Sequence, residues 1–228
     1  LLFIELAVCV LFLLKFFEAP SFDAAVVFAF INSFSLSILL YFRNRNPPMP
    51  YDDEIEIGQA LPAVIVAVIA IYGIARVSSS VLGSPSTFLP NTSYSLIPLY
   101  QQLAGLPSTS TISTTITLDS VQSLANLLLW NFSVAGAEES FKVALVNLSS
   151  TWFIRKNISQ QTSVVLSSGI VVGLWTYYHY FQSIQTTSGL AMAFFAGAIL
   201  MAMVYYLKNL VPSVVGHWIW NVLSAILP

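Results

Sequence analysis

Seven apolar runs divide the chain, roughly 1–17, 22–42, 58–77, 120–153, 162–182, 188–207 and 210–227. At 1.5 Å of rise per residue, each except the fourth is about as long as a bilayer core is thick. The fourth is longer, so either its first turns lie at the surface or its helix is tilted. The fold class that follows is all-α, a multi-pass transmembrane helical bundle of about seven spans. Composition agrees: 57% of residues are hydrophobic and 8% charged, against about 25% charged in a soluble domain. The first run has neither a basic n-region nor a small-residue cleavage site, so it reads as a span and not a signal peptide.

The basic residues set an orientation. Arg43 and Arg45 follow the second run, Arg155 and Lys156 the fourth, and Lys208 the sixth. Alternating spans put all five on one side, with only Lys15 and Arg76 opposite. Basic residues gather in cytoplasmic loops, so the N-terminus is expected in the cytoplasm and the C-terminus outside. The acidic Asp52-Asp53-Glu54 shares the 43–57 loop but contributes little to orientation. Net charge is −2, which provides no basic surface for nucleic acid. The expected partners are the lipid bilayer and a membrane-anchored peptide substrate or partner membrane protein. Cys9, the one cysteine, excludes an intrachain disulfide and reads as a small apolar residue on a span.

Residues 77–118 are read as an outer loop rich in Ser and Thr, with an Asn91-Thr92-Ser93 sequon and an extended run over 108–115. The sequons headed by Asn131 and Asn147 fall inside a predicted span and that of Asn157 on the cytoplasmic side, so none of these three is expected to carry glycan. Residues 1–118 form an expected scaffold of N-terminal spans plus this loop. Residues 119–228 carry nearly all the polar signal and are the expected core.

That signal is a constellation on three helices. Ionisable side chains cost free energy in hydrocarbon and are rarely kept there without a use. Glu138 and Lys142 are four apart and share a helix face, which suggests an ion pair. Glu139 points about 100° away and needs another partner. One lysine cannot neutralise two carboxylates, so one glutamate is left to meet water, the condition for a general base. Trp175 and His179 are four apart on one face, as are His217 and Asn221. Histidine and asparagine donate hydrogen bonds to an oxyanion, while a carboxylate activates water. Glu138, His179 and His217 also make up a possible zinc set. No HExxH spacing is present, so no cofactor is expected, with zinc as the alternative. Helix rise places Glu138 about 25 Å from Arg155 and His179 about 27 Å from Gln161, but His217 only about 12 Å from Asn209. The last span must therefore begin earlier, tilt, or meet a cavity reaching toward its start.

The ordered motifs Glu138-Glu139-Ser-Phe-Lys142, Trp175-Thr-Tyr-Tyr-His179 and His217-Trp-Ile-Trp-Asn221 resemble the EExxxR, FxxxH and HxxxN/D motifs of the CPBP family of intramembrane proteases. That group includes the type II CAAX prenyl endopeptidases and the bacterial Abi proteins. The likeness runs over about 135–225. The lysine-ended EExxK form is similar to the PrsW-type proteases, which typically carry glutamate where this chain has His179. Aligning the glutamate pairs makes Glu138 the first acidic position, and aligning Phe141-Lys142 makes it the second. The resemblance implies an intramembrane endopeptidase acting on a membrane-anchored peptide. Glu138 would be the base, with Glu139 auxiliary and His179, His217 and Asn221 as oxyanion or water-positioning groups. Lys142 and Trp175 would be structural. Two other readings stand beside it. The superfamily also contains a non-catalytic scaffold subunit of gamma-secretase, and intramembrane Glu and His can form a transporter or proton pathway. The orientation is testable: cysteines introduced near Arg155 and near Asn91 should label from opposite faces of a sealed membrane, and labelling of both from one face would overturn it.

Overall fold

The computed structural model describes residues 1–18, 22–82, 118–182 and 186–226. They form seven α-helices and no strand: α1 (Leu2–Leu13), α2 (Phe22–Arg43), α3 (Ile57–Leu82), α4 (Leu118–Ile154), α5 (Gln160–Gln182), α6 (Thr187–Leu207) and α7 (Val211–Ile226). The protein is an all-α integral membrane protein, as its apolar runs require. Helices α2, α3 and α6 are each long and apolar enough to cross a bilayer. The 37 residues of α4 extend about 55 Å, well beyond a bilayer core. Helix α3 continues through Ser78 to Leu82, so residues 77–82 are helix and not loop. The rest of the expected outer loop, with the Asn91 sequon and the 108–115 run, lies outside the described residues.

Helix α4 is the hub, packing against α1, α2, α5 and α7, while α3 covers α6 and α7. Large apolar residues such as Phe30, Ile57, Val66 and Leu174 are exposed on the outer faces, as a lipid-facing surface allows. Between helices lipid gives no hydrophobic drive, so small residues and interhelical hydrogen bonds set the contacts. Ser133, Gly136 and Ser140 provide both on the α4 face toward α1. Cys9 Sγ lies 2.8 Å from Ser133 Oγ and accepts from Asn32 Nδ2 at 3.0 Å, so it is a hydrogen-bonded link and not merely an apolar filler. Glu5, fully buried, accepts from Ser140 Oγ at 3.0 Å and lies against Gly136.

Helices α4 and α5 run antiparallel in a fixed register. Ser150 Oγ donates to the Ser163 carbonyl at 3.3 Å. Twelve positions back on α4 is Glu138, twelve onward on α5 is Trp175, and those two also touch. The α7 depth mismatch resolves differently from a tilt. Asp53 N–H donates to Lys208 O at 3.1 Å and Leu210 N–H to Tyr51 O at 2.7 Å, while Met49 is bonded to Asn147. The α6–α7 link is thereby seated at the level of Asn147, two turns short of the end of α4.

A Cβ on residue 136 would lie 2.5 Å from Glu5 Cδ. Gly136→Ala should therefore destabilise the bundle by about 1–3 kcal/mol through overpacking, read as a lower Tm in detergent. Glu5→Ala in the same chain should recover part of it. An unchanged Tm in the single variant would show that the α1–α4 contact is loose.

Candidate active site

Consecutive residues on a helix diverge by about 100°, and α4 uses that divergence to give its two glutamates different surroundings. Glu139 turns into the α4–α7 interface and is 0% exposed. Its Oε1 accepts from Lys142 Nζ at 2.6 Å and from His217 Nδ1 at 2.7 Å. Its Oε2 accepts from Ser213 Oγ at 2.8 Å. Lys142 is thus paired with Glu139 at i,i+3 and not with Glu138 at i,i+4 as the sequence suggested. The reason is burial: Glu139 has no route to water, and a buried carboxylate without a cation is costly. Side chains on a helix lean toward its N-terminus, so Lys142 reaches either position. The lysine Nζ also lies 4.2 Å from the centroid of the Trp175 ring, a favourable cation–π contact.

Glu138 turns the other way, at 9% exposure. Its Oε2 accepts from the Trp175 indole N–H at 3.0 Å and lies 3.8 Å from His217 Nε2. It opens on a cavity of ≈ 400 Å³ between α2, α4 and α5, walled by apolar side chains including Phe28, Ile31, Phe141 and Leu174. Trp175, expected to be structural, is therefore the donor that orients Glu138.

The tautomers follow from the partners. A carboxylate accepts only, so His217 carries its proton on Nδ1 toward Glu139 and points Nε2 at Glu138. His179, half-buried one turn beyond Trp175, places Nδ1 2.9 Å from the Trp175 carbonyl, so it too is protonated on Nδ1. Its ring centroid is 4.2 Å from that of Trp175. No hydrogen bond joins it to Glu138 or His217 among the described residues. Asn221 lies one turn past His217, half-buried, and its side chain makes no hydrogen bond among the described residues. Glu138, Glu139, Lys142, Trp175 and His217 are thus joined in one network of contacts, with His179 and Asn221 one turn further along their helices. No three His, Cys, Asp or Glu side chains are grouped to hold a metal among the described residues. The alternative zinc set is spread out, with His179 a turn away.

Sequence reasoning missed Ser213. It stands four residues before His217, a spacing that puts both on the face meeting Glu139, and this was the available signal.

Residues 120–223, spanning all of these groups, match the family model described as Type II CAAX prenyl endopeptidase Rce1-like. The match supports the CPBP superfamily for this segment, which covers α4 through most of α7, and the matched family is one of CAAX-protease-type intramembrane peptidases. Neither a curated protein nor a solved structure matches the chain.

The pairing is checkable by double-mutant cycles on unfolding in detergent. Lys142→Met should cost about 3–5 kcal/mol by leaving Glu139 buried without its cation. Combining it with Glu139→Gln should show coupling of about 0.5–3 kcal/mol, whereas Glu138→Gln should add independently. Coupling to Glu138 and not to Glu139 would reverse the assignment.

Proposed function

We propose that this protein is an intramembrane endopeptidase in which Glu138 activates water against a peptide bond of a membrane-anchored substrate. One observation carries the reading: of the two glutamates, only Glu138 faces a cavity, and it does so beside the Nε2 of an oriented histidine. The apolar wall of that cavity suits the lipid-embedded part of a substrate, whose scissile carbonyl then meets Glu138 at the inner end.

The chemistry balances with the groups present. A water entering from the cavity gives its proton to the Glu138 carboxylate as its oxygen attacks the carbonyl carbon. The carbonyl becomes an oxyanion, and the Asn221 amide, which makes no side-chain hydrogen bond among the described residues, donates to it. His179 and His217 each carry their one neutral-state proton on Nδ1, so each would donate from Nε2 only as an imidazolium. His217 Nε2, 3.8 Å from Glu138, is better placed to receive the proton and hand it to the departing amine as the C–N bond breaks. Glu139 keeps His217 in the tautomer this requires, as an auxiliary group. Prenylated CAAX ends are one member of the substrate class. The end bearing Arg43, Arg155 and Lys208 would face the cytoplasm, leaving the N-terminus there and the C-terminus outside.

A non-catalytic scaffold would need the buried Glu139 cluster for packing but not an oriented carboxylate on a cavity. Purified protein in proteoliposomes should therefore release product from a membrane-anchored peptide. Glu138→Gln should keep its Tm and lose cleavage, because an amide cannot take the proton. Asn221→Ala should slow cleavage by about a hundredfold to a thousandfold, the usual cost of one oxyanion donor. Retained cleavage in Glu138→Gln would overturn the base assignment. Cleavage lost on chelation and restored by zinc would move the reading to a metal. Failure of the unaltered protein to cleave any membrane peptide would favour the scaffold.

A further inference from the structure

The groups on α7 act only if that helix sits at the right depth against α4; within the helix Trp218 Nε1 donates to Leu128 O at 2.9 Å, and its start is held separately. It is 16 residues long, and an apolar helix in lipid slides at little cost compared with one anchored by polar contacts. The anchor at its start lies outside the constellation. Asn147, fully buried on α4, accepts from the Met49 backbone N–H at 2.9 Å and donates to the Met49 carbonyl at 3.2 Å. One amide side chain thus satisfies both backbone groups of a residue in the α2–α3 link, as a neighbouring strand would. Two residues on, Tyr51 O accepts from Leu210 N–H, and Asp53 N–H donates to Lys208 O. Asn209 Nδ2 donates to Asp53 O at 2.6 Å, and its Oδ1 accepts from Val211 N–H at 2.8 Å, capping the first turn of α7.

The register closes on the site. Eight positions separate Asn147 from Glu139 on α4, and eight separate Asn209 from His217 on α7. Both correspond to about 12 Å of helix, so a link clamped level with Asn147 delivers His217 Nδ1 to Glu139 with no tilt needed. We infer that Asn147 is a positioning residue for the reaction: through Met49 and the 208–210 link it sets the depth of α7 and so the His217–Glu139 contact. This rests on the proposed protease reading for its kinetic consequence but not for its structural one.

The test separates the two. The chain has two histidines, so ¹⁵N-histidine labelling gives two imidazoles. His217 should show an Nδ1–H bonded to a carboxylate and His179 an Nδ1–H bonded to a backbone carbonyl within its own helix. In N147A the His217 signature should be lost while that of His179 is kept, which certifies that α5 is folded. Turnover of a membrane-anchored peptide should fall about a hundredfold in kcat, as for a misplacement on the order of 1 Å, with KM little changed because the cavity wall is untouched. N209D keeps the α7 cap but loses the donor to Asp53 O. It should move the His217 signal the same way with a smaller drop in kcat, and it decides the matter if N147A loses the His179 signal as well. An unchanged His217 signature in a folded N147A, or in N209D where N147A does not fold, overturns the inference whether or not the protein cleaves peptides. An altered signature in a protein that cleaves nothing upholds the positioning and sinks only the protease reading.

Discussion

Glu139 has no exposed surface, in a helix bundled within lipid, and its position dictates those of three other groups. Leaving such a carboxylate with one partner removed would cost about 3–5 kcal/mol, a large part of a typical domain's stability. Lys142, Ser213 and His217 supply one donor each, at 2.6, 2.8 and 2.7 Å. Because two of the three sit on α7, satisfying the charge also fixes how α7 rotates against α4. The tautomer of His217 and the aim of its Nε2 at Glu138 are consequences of the same contact. A requirement of stability thus orders the site before any substrate is considered.

The bundle was legible because the bilayer leaves few choices. Five of the seven apolar runs predicted the helices to within a few residues at both ends. The exceptions have physical reasons: α1 is shorter than the run 1–17, and α3 passes Arg76 because Val77, Val81 and Leu82 continue its apolar turns into Ser78–Ser80. Motif order also marked residues that the fold joins, Glu138, Trp175 and His217, since helical spacing places i and i+4 on one face. What spacing could not resolve was which glutamate Lys142 chooses, because i−3 and i−4 are both within reach. Burial decides that, and burial is a tertiary fact. For the same reason Glu5 went unread: an acid near the start of a helix looks solvent-facing until Gly136 and Ser140 of a distant helix are brought beneath it.

The short distance from Asn209 to His217 carries a related lesson. It is too short for a bilayer only where every link lies at the membrane surface. Backbone below the surface is tolerated where protein partners satisfy its polar groups. Here Asn147, Asn209 and Gln160, whose Nε2 donates to Pro48 O at 3.0 Å, supply those partners. A polar 43–57 segment that reads as an ordinary loop is therefore part of the packing, with Met49 and Tyr51 in the same apolar cluster as Val143, Val146 and Val214.

That cluster bears on how a substrate reaches Glu138. Met49, Tyr51, Leu210 and Val214 are all buried, so the Asn147 end of the site is filled with side chains and clasped by backbone hydrogen bonds. The cavity at Glu138 is instead bordered by Val27 of α2 and Leu174 and Tyr178 of α5, all of them exposed on the outer surface of the bundle. Under the protease reading the route is therefore sideways from the lipid between α2 and α5, and the apolar wall serves as both entrance and binding surface. A substrate arriving this way presents its lipid-embedded portion first and its peptide bond second, so affinity would come from the part that does not react. Interactions of that kind lower KM without raising kcat. The catalytic burden would then fall on the few polar groups assigned to the reaction, with Glu138 the one that lines the cavity. Widening the wall with Phe28→Ala or Ile31→Ala should accordingly raise KM for a membrane-anchored peptide and leave kcat within about twofold, since neither side chain touches the transition state. A fall in kcat with KM unchanged would mean that the wall holds the carboxylate in place and that the substrate enters elsewhere.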